Sequence, residues 1–108
     1  MKELTRKEEQ MLLAVHYLGE EACLITIRDE IHRLTGTLYS VGTVYAPLNR
    51  LHIHGYIESR TGRSPDFVSK KPIRFYRLTK KGRVALQELQ KAYRLLWSGF
   101  AELGKEKT

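Results

Sequence analysis

Apolar positions along the chain fall into four helical stripes and one alternating pair of segments. The first stripe predicts a helix over 5–18. Thr5 and Glu8 have capping-box spacing. Met11, Val15 and Leu18, with Ala14 beside them, share one face. Leu13 and Tyr17 form a second apolar face, and a surface helix needs only one. Either the helix is central in the fold, or its second face meets another subunit. Gly19 is a natural stop.

Cys23–Ile25 reads as a short apolar link. Thr26 can cap a second helix, with Asp29 and Glu30 near its positive end. Ile27, Ile31 and Leu34 would face the core, and Gly36 would end the helix. Ser40 can cap a third helix over about 40–54, burying Val44, Leu48 and Leu51 beside Val41. Its other face carries Gly42, Thr43, Ala46, Asn49 and Arg50, with no acid among them. Pro47 inside this helix predicts a kink or a loosened turn near Thr43.

Tyr56–Arg60 and Arg74–Thr79 alternate as strands, joined by the long tip Thr61–Ile73 with its Gly and Pro residues. Thr79 then caps a last helix over 80–103. There Leu86, Leu89, Tyr93, Leu96, Phe100 and Leu103 recur at steps of three and four, broadened by Ala92 and Trp97. A helix this apolar at the end of a small domain predicts burial against a second copy of the chain.

The length of 108 residues suits one domain. No apolar run reaches the span of a membrane helix, and the charged start lacks the pattern of a signal peptide. A single cysteine, Cys23, points to a reducing, cytoplasmic setting. The net charge of +7 is unevenly placed. Residues 31–83 hold eleven Lys and Arg against Glu58 and Asp66, a net +9, whereas residues 1–30 are at −3. Such a basic middle favours a polyanion, nucleic acid first.

Three helices, two strands and a helix, with a basic hairpin, is the order of a winged helix-turn-helix. The predicted class is therefore mainly α (α+β), with residues 1–79 as the DNA-binding unit and 80–108 as a C-terminal dimerisation helix packed on it. The third helix would enter the major groove. Gly42 and Ala46 let its backbone approach, and Thr43 and Asn49 can donate and accept. Arg50 can meet a phosphate or a guanine edge. Arg60, Arg63, Lys70, Lys71 and Arg74 would serve the wing. Lys80 and Lys81 stand in the first turn of the last helix, against its dipole. Either a nearby phosphate relieves them or they are a tolerated exposed pair.

Several segments resemble the PadR family of bacterial transcriptional regulators. They are Ser40-Val-Gly-Thr-Val-Tyr-Ala-Pro-Leu-Asn-Arg-Leu51, Gly55-Tyr-Ile-Glu-Ser59, and Arg74-Phe-Tyr-Arg-Leu-Thr79 followed by Gly82. Leu18-Gly-Glu-Glu21 and Ile27-Arg-Asp-Glu-Ile31 look similar too. The resemblance spans roughly residues 5–90. It implies a homodimeric repressor that binds a palindromic operator on double-stranded DNA and is released by a small, often aromatic, effector. It places Ser40, Gly42, Thr43 and Tyr45 at the DNA. It implies dimerisation through the first and last helices, here Leu13, Tyr17, Leu86, Leu89, Tyr93, Leu96, Trp97 and Phe100. A tryptophan placed like Trp97 lines an interface pocket in some members, and Tyr17 and Tyr93 would join it. The chain departs from the pattern where Ala46 separates Tyr45 from Pro47, at His52-Ile-His54, and in its longer hairpin tip. With no large C-terminal domain, it would be a short-form member.

Other classes have less support in the residues. His52 and His54 do not share a helix face, and no Cys-x-x-Cys or His-x-x-x-His occurs, so no metal site is expected. No nucleophile arrangement or phosphate loop suggests an enzyme, and no cofactor is expected. A winged-helix module that binds only protein, and a metal- or redox-responsive repressor, remain as alternatives.

Overall fold

The computed structural model describes residues 3–63 and 72–100. Four helices and a hairpin follow in the predicted order: α1 (Arg6–Leu18), α2 (Leu24–Thr35), α3 (Val41–Ile53), β1 (Ile57–Gly62), β2 (Ile73–Leu78) and α4 (Lys80–Leu96). Together they form a winged-helix fold.

α1 begins at the predicted capping box. Thr5 Oγ1 accepts from the Glu8 amide at 3.1 Å, and Glu8 Oε1 accepts from the Thr5 amide at 2.8 Å. Met11, Ala14 and Val15 are buried, and so is Leu12, which lies between the two predicted faces. Leu13 and Tyr17 remain exposed. Glu8 is buried as well, and its carboxylate lies 3.6 Å from Arg50 Nε on α3. This ion pair ties α1 to α3.

α2 departs from expectation at its start. Cys23–Ile25 is not a link, because Cys23 is the N-cap and Leu24 already opens the helix. Thr26 sits in the first turn rather than capping it. Its Oγ1 accepts from the Cys23 amide at 2.8 Å and donates to the Glu21 carbonyl at 2.7 Å. A hydroxyl can satisfy a free helix-end amide from either side of the boundary, so sequence spacing alone leaves the start ambiguous. Asp29 and Glu30 consequently lie beyond the first turn, where Glu30 pairs with Arg33. Ile27 and Ile31 are buried, but Leu34 is 50% exposed. It falls in the last turn, where the helix outruns the elements that cover the first two.

α3 starts as predicted, with Ser40 Oγ accepting from the Thr43 amide at 3.1 Å. Val44, Pro47, Leu48 and Leu51 are buried, while Val41 is exposed. The helical run continues through Pro47, whose ring joins the buried face. α3 ends in a Schellman motif. Tyr56 N donates to Leu51 O at 2.9 Å and Gly55 N to His52 O at 3.1 Å. Gly55 holds φ +80°, which only glycine adopts freely.

The strands are antiparallel, running from Ile57↔Leu78 to Gly62↔Ile73, so β1 starts one residue and ends two residues later than predicted, and β2 lies one residue earlier at both ends. Cys23 makes an isolated bridge to Phe75, fixing the start of α2 to the hairpin. Lys70 and Lys71 lie outside the described residues.

α4 starts at Thr79, whose Oγ1 accepts from the Gly82 amide at 3.1 Å. Its regular run ends at Leu96, earlier than the predicted 103, and Trp97–Gly99 form a turn. Ser98 Oγ donates back to the Leu95 carbonyl at 3.1 Å, competing with the helical ladder, and Gly99 is a poor helix former. The turn interrupts the three-four pattern, Phe100 is helical again, and Leu103 lies outside the described residues.

Two substitutions test this frame. A Cβ on Gly82 would fall 2.1 Å from the Tyr56 carbonyl oxygen, a backbone atom. Gly82→Ala should destabilise the fold by about 2 kcal/mol in urea denaturation. Glu8→Ala should cost about 1–2 kcal/mol, through loss of the cap and of the half-exposed ion pair. Glu8→Gln keeps the capping geometry and should cost less in the same measurement.

Candidate nucleic-acid interface

With Val44, Pro47, Leu48 and Leu51 turned inward, helical periodicity places Gly42, Ala46, Asn49 and Ile53 on the outer line of α3. Tyr45 and His52 flank this line on one side, Thr43 and Arg50 on the other. Gly42, Tyr45, Ala46 and Ile53 are exposed, and a Cβ on Gly42 would meet nothing within 4 Å. The outer face is thus shallow enough for a flat partner to reach the backbone. At its amino end, Ser40 Oγ and Thr43 Oγ1 lie 2.8 Å apart, and the first turn carries no acid. The helix therefore offers uncompensated positive dipole beside two hydroxyls.

The hairpin packs beside this face. Ser59 Oγ on β1 lies 3.3 Å from His52 Nε2 on α3. On β2, burial raises the pKa of Tyr76, and the charge and hydrogen bond of Arg74 partly oppose that rise. Tyr45 is close enough to Tyr76 to act on the same titration. Tyr76 itself is buried in the core, so the hairpin is seated on the helical body there while Arg74 and Tyr45 stay exposed.

The structure divides the predicted cations. Arg74 stays exposed on β2. Arg60 is taken up by the scaffold, with its guanidinium 4.9 Å from the Phe75 ring centroid and a 3.0 Å bond to the Glu20 carbonyl. Arg50 turns toward Glu8. Lys81 Nζ donates to the His54 carbonyl at 2.7 Å, so this lysine is not a loose surface cation. Sequence reasoning missed His52 as a helix–wing contact. Its spacing from His54 was read only for metal chemistry, and Ser59 becomes its neighbour through the turn at Gly55.

A second concave site lies between α1 and α4. A groove of about 500 Å³ brings together Leu13, Tyr17, Leu86, Leu89 and Tyr93. Tyr93 donates its hydroxyl to Glu9, and this bond raises the Tyr93 pKa. Five of the eight predicted interface residues thus share one surface. Trp97 does not line the groove. It stands beyond the end of α4, edge-on to Phe100 at 5.0 Å, and is 55% exposed. Leu96 is the most exposed of the group at 77%. Among the described residues, no three His, Cys, Asp or Glu side chains gather as metal ligands, and no helix is long and apolar enough to cross a membrane. Cys23 is buried at the α2 cap.

Similarity to known proteins supports the same picture. No curated protein matches the sequence. Among solved structures, a PadR-like transcription factor from Bacteroides fragilis shares 25% identity at a TM-score of 0.72, over 91% of this chain and 92% of that one. A PadR-like transcriptional regulator from Bacillus cereus shares the fold at 21% identity and a TM-score of 0.73, over 89% and 88% of the two chains. A PadR family regulator from Eggerthella lenta shares it at 23% identity and a TM-score of 0.67, over 91% and 83%. The model of the transcriptional regulator PadR-like family matches residues 16–88, which hold α2, α3, the hairpin and the start of α4. With most of its length matched by that family and its winged-helix fold shared with these regulators, the chain belongs to the PadR-like family of DNA-binding transcriptional regulators.

Proposed function

We propose that the protein is a homodimeric repressor that reads a palindromic operator in cytoplasmic DNA and is released by a small aromatic effector. The observation that carries the DNA reading is the shallow, acid-free outer face of α3 with the hairpin set against its flank at His52 and Ser59. Residues 1–79 read DNA, and 80–108 supply the dimerisation helix. Ser40, Gly42, Thr43, Tyr45 and Asn49 meet the major groove, and Ser40 with the start of α3 holds a phosphate. Arg74, with Lys70 and Lys71, follows the backbone at the wing. Arg50 acts chiefly by holding α3 to α1 through Glu8.

Leu13, Tyr17, Leu86, Leu89, Tyr93, Leu96, Trp97 and Phe100 form the dimer contact. Support comes from the exposure of Leu13, Tyr17, Tyr93, Leu96, Trp97 and Phe100, with half-buried Leu86 and Leu89 in the groove between them, since a lone domain gains nothing by presenting so many large apolar side chains to water. The groove between α1 and α4, with Tyr17 and Tyr93 in its wall, suits a flat apolar ligand. Trp97, one helical turn past Tyr93, stands next to the groove without lining it.

The primary test is binding of the purified chain to DNA upstream of its own gene against a scrambled duplex, at two salt concentrations. A specificity ratio of about 10³ that survives the higher salt supports operator reading. Equal, salt-sensitive binding to both duplexes rejects it. Gly42→Leu should keep the melting temperature, because its side chain projects into open space, and should weaken operator binding by about tenfold or more. Leu96→Glu should leave each protomer folded and raise the dimer dissociation constant by roughly tenfold or more, read by analytical ultracentrifugation.

A further inference from the structure

The carboxyl end of α3 is gripped by the first turn of α4. Three successive carbonyls, of His54, Gly55 and Tyr56, accept hydrogen bonds there. Lys81 Nζ donates to His54 O at 2.7 Å, Thr79 Oγ1 donates to Gly55 O, and Thr79 N donates to Tyr56 O at 3.1 Å. The Lys81 ammonium also stands 4.5 Å from the centroid of the Tyr56 ring, a cation–π contact. Gly82 completes the joint, since only its missing side chain lets α4 come so close to Tyr56 O.

Helix electrostatics explains why a lysine stands there. A cation in the first turn of α4 opposes the dipole of that helix. The same cation lies on the terminal carbonyls of α3, where the dipole favours it. What α4 loses, the end of α3 gains, and no phosphate is needed to account for the residue. The hold is also well placed to matter. Arg50 and the buried Leu51 hold the last turn of α3 from the core side, but past Leu51 the helix has no further buried side chain. His52 and Ile53 beyond it are exposed, and the joint, together with the His52–Ser59 contact, holds the chain as it leaves the helix.

We propose that Lys81 is a positioning residue for DNA recognition: it fixes the end of α3 on α4 and does not itself touch DNA. The inference rests on the reading of α3 as the recognition helix.

The test uses the full chain and the upstream duplex that the wild type prefers. Lys81→Met keeps the unbranched stem but removes donor and charge. It should weaken binding to that duplex by roughly tenfold and leave binding to a scrambled duplex unchanged. The slope of log affinity against log salt should also stay unchanged, and Lys81→Arg should restore affinity. Equal weakening on both duplexes, with the slope reduced by about 0.9, would make Lys81 a phosphate contact and overturn the proposal. Wild-type affinity in Lys81→Met would overturn it too. Thermal melts confirm that each variant is folded at the temperature used. Should Lys81→Met not fold, Lys81→Gln is read by the same criteria. A wild type with no preference between duplexes would overturn the DNA reading along with this one. An unaffected Lys81→Met beside a discriminating wild type overturns this one alone.

Discussion

The two-sidedness of α3 governs the rest of the molecule. One face must be apolar enough to anchor the helix in a small core, and the other must stay open for a partner. Val44, Pro47, Leu48 and Leu51 meet the first demand, and Gly42 and Ala46 meet the second by being small. A helix of 13 residues anchored by four side chains can still tilt about its buried stripe. Polar contacts limit that freedom: the Glu8 ion pair in its last turn and the α4 joint just past its carboxyl end. Both come from helices that also wall the α1–α4 groove.

The same economy shapes the electrostatics. A net +9 over residues 31–83 suggests a continuous positive surface. The folded chain uses several of those charges internally. Arg50, Arg60 and Lys81 each meet a carboxylate, a carbonyl or an aromatic face, and Arg77 pairs with Glu58. Among the described residues, Arg74 on β2 stays exposed, and the amino end of α3 carries no acid to compensate its dipole. A cation bound to its own protein still contributes to the long-range field that draws in a polyanion. It has less freedom to form a specific contact.

Apolar surface is shared out in a similar way. α1 buries one stripe and exposes another at Leu13 and Tyr17, and α4 turns Leu86, Leu89 and Tyr93 toward the same groove. Beyond Leu96 the helix gives way to a turn, and Trp97 and Phe100 pack on each other. The apolar surface thus continues past the end of the regular helix.

Much of the architecture was legible in the chain because its signals are local. Capping spacing at Thr5, Ser40 and Thr79, the stops at Gly19, Gly36 and Gly55, and the stripes between them determined the order of elements and the inner face of α3. Local signals failed where two groups could satisfy the same backbone donor, as with Cys23 and Thr26, or where a turn interrupts an unbroken spacing, as at Trp97–Gly99. Which cations serve the surface could not be read from sequence. Arg50 and Lys81 find their partners 42 and 27 residues away, at Glu8 and His54. Those pairings exist only once α1, α3 and α4 have packed. Residue type decided that these side chains carry charge, and tertiary structure decided where that charge is used, because an ion pair depends on distance in space and not on separation along the chain.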